Sequence, residues 1–401
     1  MLLAPLRHRD YRVFWIGLLL SSIGSQFTTV AIAWQIYELT NSPLQLGLMG
    51  LARGVPQVAM LLFGGLLADA VNRRKVILCT QSILFVVSGL LALSTFGAKT
   101  TPLILYAATI ALAVFNSLEA PARHSIVANL VPREDLAAAM AIYNSQRHVA
   151  MIAGPALAGV MLGLSGPAIC YAIDAASWLI MFIAVLAIRA PLPEGEGRRA
   201  VSLEFLRAGF RFVLKHAVIF PLLMMDFGAN VFGTVRALLP VFAKDILAVG
   251  PEGLGILYAA AAFGSLLGAV ALSFVHRLRG FGRWILAGVA IYGLSIVLFG
   301  ISDLFWFSAL LLALSGIGDT ISAIMRSTIN QLETPEDLRG RMSSINSLFT
   351  NCGPQLGQFQ AGALASLIGA ELSVMSGGFV ILLIVGWLVL KSPQVRDFKI
   401  V

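Results

Sequence analysis

Charged residues are scarce in this chain, because only 12% of its 401 residues are Asp, Glu, Lys or Arg. Soluble domains carry about 25% charged residues, so the low fraction excludes an ordinary water-soluble protein. Cysteine is scarce as well: Cys79, Cys170 and Cys352 are few and widely separated. They predict neither a disulfide framework nor a metal site, and we expect small apolar side chains that fill space.

Motifs for ATP hydrolysis, catalysis and metal binding are also missing. No Gly-x-x-x-x-Gly-Lys-Ser/Thr loop occurs, so ATP-driven transport within this chain is not supported. The five histidines lack metal-ligand spacing, and the sequence has no nucleophile–base motif. We therefore predict no enzyme activity, no metal and no cofactor.

Long apolar stretches dominate what is present, and 58% of the residues are hydrophobic. A stretch of about 20 apolar residues crosses a bilayer as a helix, because its backbone must satisfy its own hydrogen bonds in lipid. We number twelve such spans in chain order, at residues 12–38, 43–69, 75–97, 102–128, 136–163, 167–189, 217–242, 252–275, 283–301, 304–328, 342–367 and 372–390. The sequence therefore predicts an all-α membrane protein with twelve transmembrane helices.

The net charge of +8 would suggest a nucleic-acid partner in a soluble protein. Here the cations cluster before span 1 and in every second loop, after spans 2, 4, 6, 8, 10 and 12. The opposite loops hold little beyond Lys99 and Lys244. By the positive-inside rule we expect a multi-pass protein with both termini in the cytoplasm and no nucleic-acid partner.

The chain repeats itself. Arg123 to Pro132 in the first half matches Arg326 to Pro335 in the second, with identical spacing. Shorter echoes pair Leu46-Gly47 with Leu254-Gly255 and Gly154-Pro155 with Gly353-Pro354. Spans 1–6 and 7–12 are therefore predicted to be two copies of one six-helix unit, read in the same direction. Parallel halves with a binding site between them are a recognised transporter design.

The repeat predicts a domain organisation in four parts. Two six-helix bundles, residues 1–190 and 217–391, flank a linker at 191–216, and a cytoplasmic tail follows at 392–401. The linker begins rich in Pro, Gly and charge. From Ser202 its charged and apolar residues fall on different helical faces, which is typical of an amphipathic helix on the membrane surface.

The loop between spans 2 and 3 concentrates charge where charge is otherwise rare. Gly65, Asp69 and Arg73 follow one another there at intervals of four residues, and Arg74 follows directly. This segment resembles the loop signature of the major facilitator superfamily of secondary transporters. The resemblance implies that Asp69 helps to close the cytoplasmic side, while the arginines bind carboxylates or helix ends. Asn72 stands where the pattern has glycine, and we expect it to take the same left-handed conformation.

Two further arginines, Arg123 and Arg326, lie near cytoplasmic ends at equivalent positions of the repeat. We group them with the loop residues in a predicted cytoplasmic gate. The second half keeps Gly268 where the first has Gly65 but has no acid that matches Asp69, so its gate should be weaker. A positive-inside anchor without a gating role is the alternative.

Span 5 contains Gly154, Pro155 and Gly159, a pattern that resembles the superfamily's antiporter motif. Glycine and proline remove side-chain bulk and one backbone hydrogen bond, which permits a bend and a close helix contact. The resemblance favours export by exchange. Helix packing alone is the alternative, because such pairs also occur in membrane helices for that purpose.

Acidic residues inside the spans are candidates for proton coupling. An isolated charge at the bilayer centre costs at least about 2.5–3.5 kcal/mol, so each needs a partner, water or a function. Asp226 lies near the middle of span 7 with no cation in the adjacent turns, and burial disfavours its ionised form, as a proton carrier requires. Glu119 lies one turn from Arg123, and Asp319 lies in span 10. We rank Asp226, Glu119 and Asp319 in that order, and structural pairing remains an equal alternative for each.

The family resemblance also implies that spans 4, 7 and 10 line a central cavity, whereas span 6 is peripheral. Asp174 of span 6 is therefore expected to be a structural hydrogen-bonding group. Amide, aromatic and cationic side chains could hold a bulky, partly polar ligand in that cavity. The cavity candidates are Gln26, Gln35, Arg53, Gln57, Asn230, Tyr258 and Gln358. Ordinary helix packing is the alternative for most of them.

Several segments narrow the resemblance to one branch of the superfamily. Leu130 to Leu136, Leu239 to Asp245 and Thr334 to Arg341 resemble the branch of siderophore exporters and macrolide efflux proteins. This implies a proton-coupled antiporter that exports a siderophore or amphiphilic drug from the bacterial cytoplasmic membrane. We expect a monomer in the lipid bilayer whose partners are protons and a small-molecule substrate. A lipid or lysolipid flippase on the same fold and a non-transporting membrane sensor remain as alternatives.

Overall fold

The computed structural model describes residues 4–68, 72–190, 211–214, 216–274, 280–396 and 398. Throughout these residues the regular secondary structure is helical, and the predicted order of twelve spans is confirmed. The long helices are α1 (Arg9–Thr40), α2 (Pro43–Ala68), α3 (Arg73–Phe96), α4 (Pro102–Leu130), α5 (136–165), α6 (167–186), α7 (Ile219–Phe232), α8 (Gly250–Ser273), α9 (Phe281–Ile301), α10 (Phe305–Glu333), α11 (Arg339–Ile368) and α12 (Ala370–Lys391).

Helices α5 and α6 form one hydrogen-bonded run, Leu136–Leu186, that reverses at Gly166. Gly166 has a φ of 77°, which glycine adopts without strain, and Pro167 then starts α6 with the φ that a helix needs. The Cys170 sulfur lies 3.9 Å from the carbonyl oxygen of Ala158, several turns earlier in the sequence. A straight helix rises about 1.5 Å per residue and would hold these atoms far apart, so the two helices lie side by side.

The same turn recurs in the second half of the chain, between α11 and α12. Gly369 has a φ of 89°, and the Ser373 hydroxyl donates to the carbonyl oxygen of Ala361 at 2.9 Å. Each of these residues is the repeat equivalent of its counterpart in the α5–α6 turn, at the same offset that relates Arg123 to Arg326. The internal repeat predicted from sequence is therefore present in the folded chain as well.

Helix α7 is shorter than the predicted span 217–242. It ends at Phe232 after 14 residues, or about 21 Å, which is less than the roughly 30 Å of a hydrocarbon core. A short helix Leu239–Val241 and a π-helix Phe242–Ile246 follow. The Tyr292 hydroxyl donates to the carbonyl oxygen of Gly233 at 2.8 Å, so a side chain satisfies the backbone where the helix stops. The prediction of one continuous span here was wrong.

The described chain divides into two compact units. The first unit holds most of the N-terminal half and residues 250–259 at the start of α8. Its core packs Tyr11, Phe14, Ile77 and Met181, all of them fully buried, between α1, α3 and α6. The Tyr11 hydroxyl donates to the backbone at 2.7 Å, which satisfies the one polar atom that this ring buries.

The second unit holds residues 42–54 at the start of α2 and most of the C-terminal half. Its core contains the buried residues Leu222, Ile285, Ile329 and Ile381 from α7, α9, α10 and α12. Large apolar side chains such as Leu390 remain exposed on the helices, as expected for surfaces that face lipid.

Candidate functional site

Glu119 of α4 is fully buried in the first unit and has donors on two helices. The amide nitrogen of Gln81 lies 2.6 Å from one carboxylate oxygen, and the Thr80 hydroxyl lies 3.0 Å from the other. The Arg123 Nε donates to the same carboxylate at 2.5 Å. A buried carboxylate that accepts charge-assisted and neutral hydrogen bonds together is well compensated. Glu119 and Arg123 therefore form a buried ion pair within α4, in which each charge compensates the other.

Arg123 is held by more than this acid. Its guanidinium also donates to Asn116 at 3.3 Å and lies over the indole of Trp178, 5.9 Å from the ring centroid. Cations over an indole face are attracted by the ring quadrupole. Arg123 therefore connects α4 with α6 inside the first unit.

The second unit contains a repeat-related pair with a different acid. Arg326 of α10 lies 2.5 Å from the Asp226 carboxylate of α7, and both residues are buried. The amide of Asn230 donates to the same carboxylate at 3.0 Å. Ser322, the repeat equivalent of Glu119, carries no charge and accepts from Arg326 at 3.0 Å. Arg326 thus pairs with an acid on another helix, whereas Arg123 pairs with an acid on its own helix.

The Arg326–Asp226 pair was not predicted from sequence, because the arginine lies on a different helix, far along the chain from Asp226. One signal could have found it: position 322 lacks the acid that balances the equivalent arginine in the first half. Asp319, the third candidate, lies two turns before Arg326 on α10, and its side chain is exposed.

Asp174 occupies a separate buried site in α6. The hydroxyls of Thr28 and Ser88 both donate to one of its carboxylate oxygens at 2.7 Å, so three helices meet there. No cation of the described chain pairs with Asp174. Among helical membrane proteins such interhelical hydrogen bonds average about 0.6 kcal/mol. The contacts suit the structural role expected from sequence.

We expect Asp174→Asn to keep its stability and Asp174→Leu to lose stability. Asparagine retains an acceptor for Thr28 and Ser88, whereas leucine leaves both hydroxyls without one and should lower the unfolding free energy by about 1–3 kcal/mol. Thermal melting of the purified variants in detergent measures the difference. Equal melting temperatures for the wild type and Asp174→Leu would show that these hydrogen bonds do not stabilise the fold.

The loop residues of the predicted gate are only partly described. Gly65 lies in α2, and Asp69 lies outside the described residues. Arg73 is the first residue of α3, and Arg74 donates to the carbonyl oxygen of Leu186 at 2.8 Å. A cation at the last carbonyls of a helix is favourable, so Arg74 stabilises the end of α6 within the first unit.

Asn72 corrects one expectation. Its φ is −53°, outside the left-handed region, and its side chain accepts from the backbone N–H of Arg74 at 3.0 Å. Asparagine is therefore an N-cap for α3, one of the roles it favours most. It does not stand in for a left-handed glycine.

The antiporter-type motif lies at two close helix contacts. A Cβ on Gly154 would meet the Gln26 side chain of α1 at 2.6 Å. A Cβ on Gly159 would lie 2.8 Å from the Cα of Gly255, in the α8 segment of the first unit, and the carbonyl of Pro155 faces the same glycine. Small residues allow backbones to approach this closely.

A second glycine contact lies in the other unit. Gly362 of α11 is the repeat equivalent of Gly159, and a Cβ there would lie 2.6 Å from the Cα of Gly47 in α2. The sequence echo of Leu46-Gly47 with Leu254-Gly255 thus marks two equivalent crossings. The echo alone did not predict that each glycine packs on another glycine.

The cavity candidates lie in several different places. Gln35 accepts a hydrogen bond from the Tyr171 hydroxyl at 2.7 Å and is buried, so it packs within the first unit. Asn230 belongs to the Asp226 site, and Gln358 donates to Gln355 at 3.2 Å. The remaining candidates lie on α1, α2 and α8: Gln26, Arg53, Gln57 and Tyr258.

Two repeat-related sets of membrane-length helices are the architecture of a major facilitator transporter. The chain belongs to the family described as transmembrane secretion effector, which matches residues 1–400. It is therefore a multi-pass membrane protein of a family of transporters.

Two similar curated proteins carry the same name. The chain is 28% identical over 393 residues to the enterobactin exporter EntS of Escherichia coli O1:K1 / APEC, covering 98% of this chain and 94% of that one. It is also 28% identical over 392 residues to the enterobactin exporter EntS of Shigella dysenteriae serotype 1, with the same coverage.

Solved structures share the fold. A POT family transporter in complex with a thioalcohol-conjugated peptide matches with a TM-score of 0.76 at 12% identity, covering 96% of each chain. A bacterial homologue of the human lysosomal transporter Spinster matches with a TM-score of 0.73 at 16% identity, covering 98% of this chain and 97% of the other. At these identities the likeness concerns the fold alone.

Proposed function

We propose that the protein is a secondary active exporter that moves a siderophore or amphiphilic drug outward in exchange for protons. The buried Arg326–Asp226 pair carries the proposal. The named function of the EntS relatives supports the direction and the substrate class. The protein works as a monomer in the bacterial cytoplasmic membrane, with both termini in the cytoplasm.

The pair links protonation to helix contacts. Ionised Asp226 compensates the buried charge of Arg326, and leaving one charge unpaired in such a site is strongly unfavourable. A proton on Asp226 removes the attraction and frees Arg326 to bind other acceptors. Because the two residues lie on α7 and α10, this change alters a contact between helices.

Glu119 ranks second for a structural reason. Its arginine partner lies one turn away on the same helix, and Thr80 and Gln81 hold it from α3. Protonation would weaken an interaction within α4 more than one between helices. Asp319 ranks third, as a relay for protons that reach Asp226, because it lies two turns before Arg326 on α10.

The proposed transport cycle uses alternating access by bundles 1–190 and 217–391. Substrate binds from the cytoplasm while Asp226 is ionised. After the site opens outward, protonation of Asp226 weakens substrate binding, and the return step releases the proton inward. Asp69 with Arg73 closes the cytoplasmic side in the outward state, and Arg74 keeps the loop attached to α6.

Uptake into everted membrane vesicles tests this function. An acidic interior should drive accumulation of enterobactin or of a lipophilic cation, because the vesicle interior corresponds to the cell exterior. Vesicles without the protein are the control. Binding of these compounds without accumulation would contradict export and favour lipid handling or sensing instead.

A further inference from the structure

A cavity of about 670 Å³ lies at one end of the first unit, between α3, α4 and α5. Its wall carries two groups that can bear positive charge, Arg73 at the start of α3 and His124 on α4. Other lining residues are Asn129, Leu136 and Met140. Arg73 also belongs to the proposed cytoplasmic gate, whereas the other lining residues take no part in the proposed transport cycle.

The polar residues of the lining favour an anion. His124 is exposed, and its ring packs edge-on against Tyr143 with 5.7 Å between centroids, which fixes its direction. The described lining includes no carboxylate. Asp135, adjacent in sequence to the lining residue Leu136, lies 2.8 Å from the His8 ring and is engaged there. Guanidinium and imidazole donors together suit a phosphate oxygen.

Apolar residues form the rest of the lining: Pro121 and Ala128 on the same face of α4 as His124, and Leu136 and Met140 on α5. A ligand with an anionic head and an apolar body fits this mixed lining. Arg73, Arg133 and the neighbouring cations place this end of the unit at the cytoplasmic face by the positive-inside rule. Basic pockets between helices on that face bind anionic lipid head groups.

We propose that this cavity is a regulatory or structural site for a phosphate ester, held by Arg73 and His124. A phospholipid of the cytoplasmic leaflet is the favoured source, because the apolar lining residues would contact its glycerol and first acyl carbons. A soluble phosphate ester shares the head-group chemistry without that contact.

Retention of lipid by the full-length protein tests the site. Native mass spectrometry from neutral detergent would count bound phosphatidylglycerol or phosphatidylcholine per protein as each lipid is titrated. We expect tighter retention of phosphatidylglycerol by the wild type. Arg73→Gln should weaken it about fivefold, the effect of about 1 kcal/mol for one cation near an anionic head group, and His124→Gln should weaken it in the same direction.

Lys75→Gln is the matched control, because Lys75 lies slightly further along α3, is exposed and does not line the cavity. Ala128→Leu fills the cavity without changing charge and should also lower retention. Equal losses in Lys75→Gln and Arg73→Gln, or unchanged retention in Ala128→Leu and Arg73→Gln, would overturn the site. Thermal melting confirms that each variant is folded.

A competition arm distinguishes the two sources. Glycerol 3-phosphate in excess should leave phosphatidylglycerol retention unchanged if the site requires the lipid body. Displacement in wild type and Lys75→Gln alike would support the site and assign it to soluble phosphate esters.

Discussion

Asp226→Asn is expected to abolish proton-driven accumulation of substrate while exchange of labelled for unlabelled substrate continues. Asparagine is uncharged, like protonated Asp226, so the attraction to Arg326 is lost while a side chain of the same shape still stands between α7 and α10. It cannot gain or lose a proton, so the step that couples protonation to outward release disappears. Accumulation should fall to the level of vesicles without the protein.

Asp174→Asn is the matched control for this result, because it also removes a buried carboxyl. Unlike Asp226, Asp174 has no cation partner among the described residues. This variant should accumulate substrate at close to the wild-type rate. Normal proton-driven accumulation by Asp226→Asn would remove Asp226 from the coupling mechanism. Loss in both variants would show that neutralising any buried acid impairs the fold.

Gly159→Val is expected to slow transport by about 5- to 150-fold. Even a Cβ added at this position would lie 2.8 Å from the Cα of Gly255 and 2.7 Å from the carbonyl oxygen of Pro251, and valine adds two methyl groups beyond it. Overpacking of this kind costs about 1–3 kcal/mol, which corresponds to that range in a conformational equilibrium. The variant should therefore populate the arrangement with α5 against α8 less often. Initial transport rates in vesicles measure the effect.

Gly89→Val tests whether any glycine in a membrane helix would respond in this way. Gly89 lies in α3, and a Cβ there meets nothing within 4 Å. It should transport at close to the wild-type rate. Equal slowing in both variants would mean that lost helix flexibility, rather than the contact with Gly255, is responsible.

The helix order could be predicted from sequence because each span is a local property of one membrane-length apolar stretch. The turn at Gly166 could also be predicted, since Gly-Pro between two apolar stretches predicts a break. The end of α7 after Phe232 could not be predicted, because the hydroxyl that satisfies the carbonyl of Gly233 comes from Tyr292, on a different helix. Backbone satisfaction by a distant side chain leaves no local pattern.

Part of the candidate site could be predicted from sequence, and part of it could not. The Glu119–Arg123 pair lies within one helical turn, so spacing alone brings it together. The Arg326–Asp226 pair joins residues that are far apart in sequence, and only the fold places them 2.5 Å from each other. The internal repeat carries part of that information, because it shows which arginine has lost its acid. The repeat likewise shows that Gly47 and Gly255 are equivalent, but only the fold shows that they contact Gly362 and Gly159.

Proton movement on addition of substrate tests the central claim most directly. Everted vesicles that hold an imposed pH gradient, acidic inside, would receive enterobactin or a lipophilic drug, and a pH-sensitive dye would report the gradient. Substrate should dissipate the gradient in wild-type vesicles and leave it unchanged in Asp226→Asn vesicles. Substrate that crosses the wild-type membrane without any proton movement would contradict coupled export.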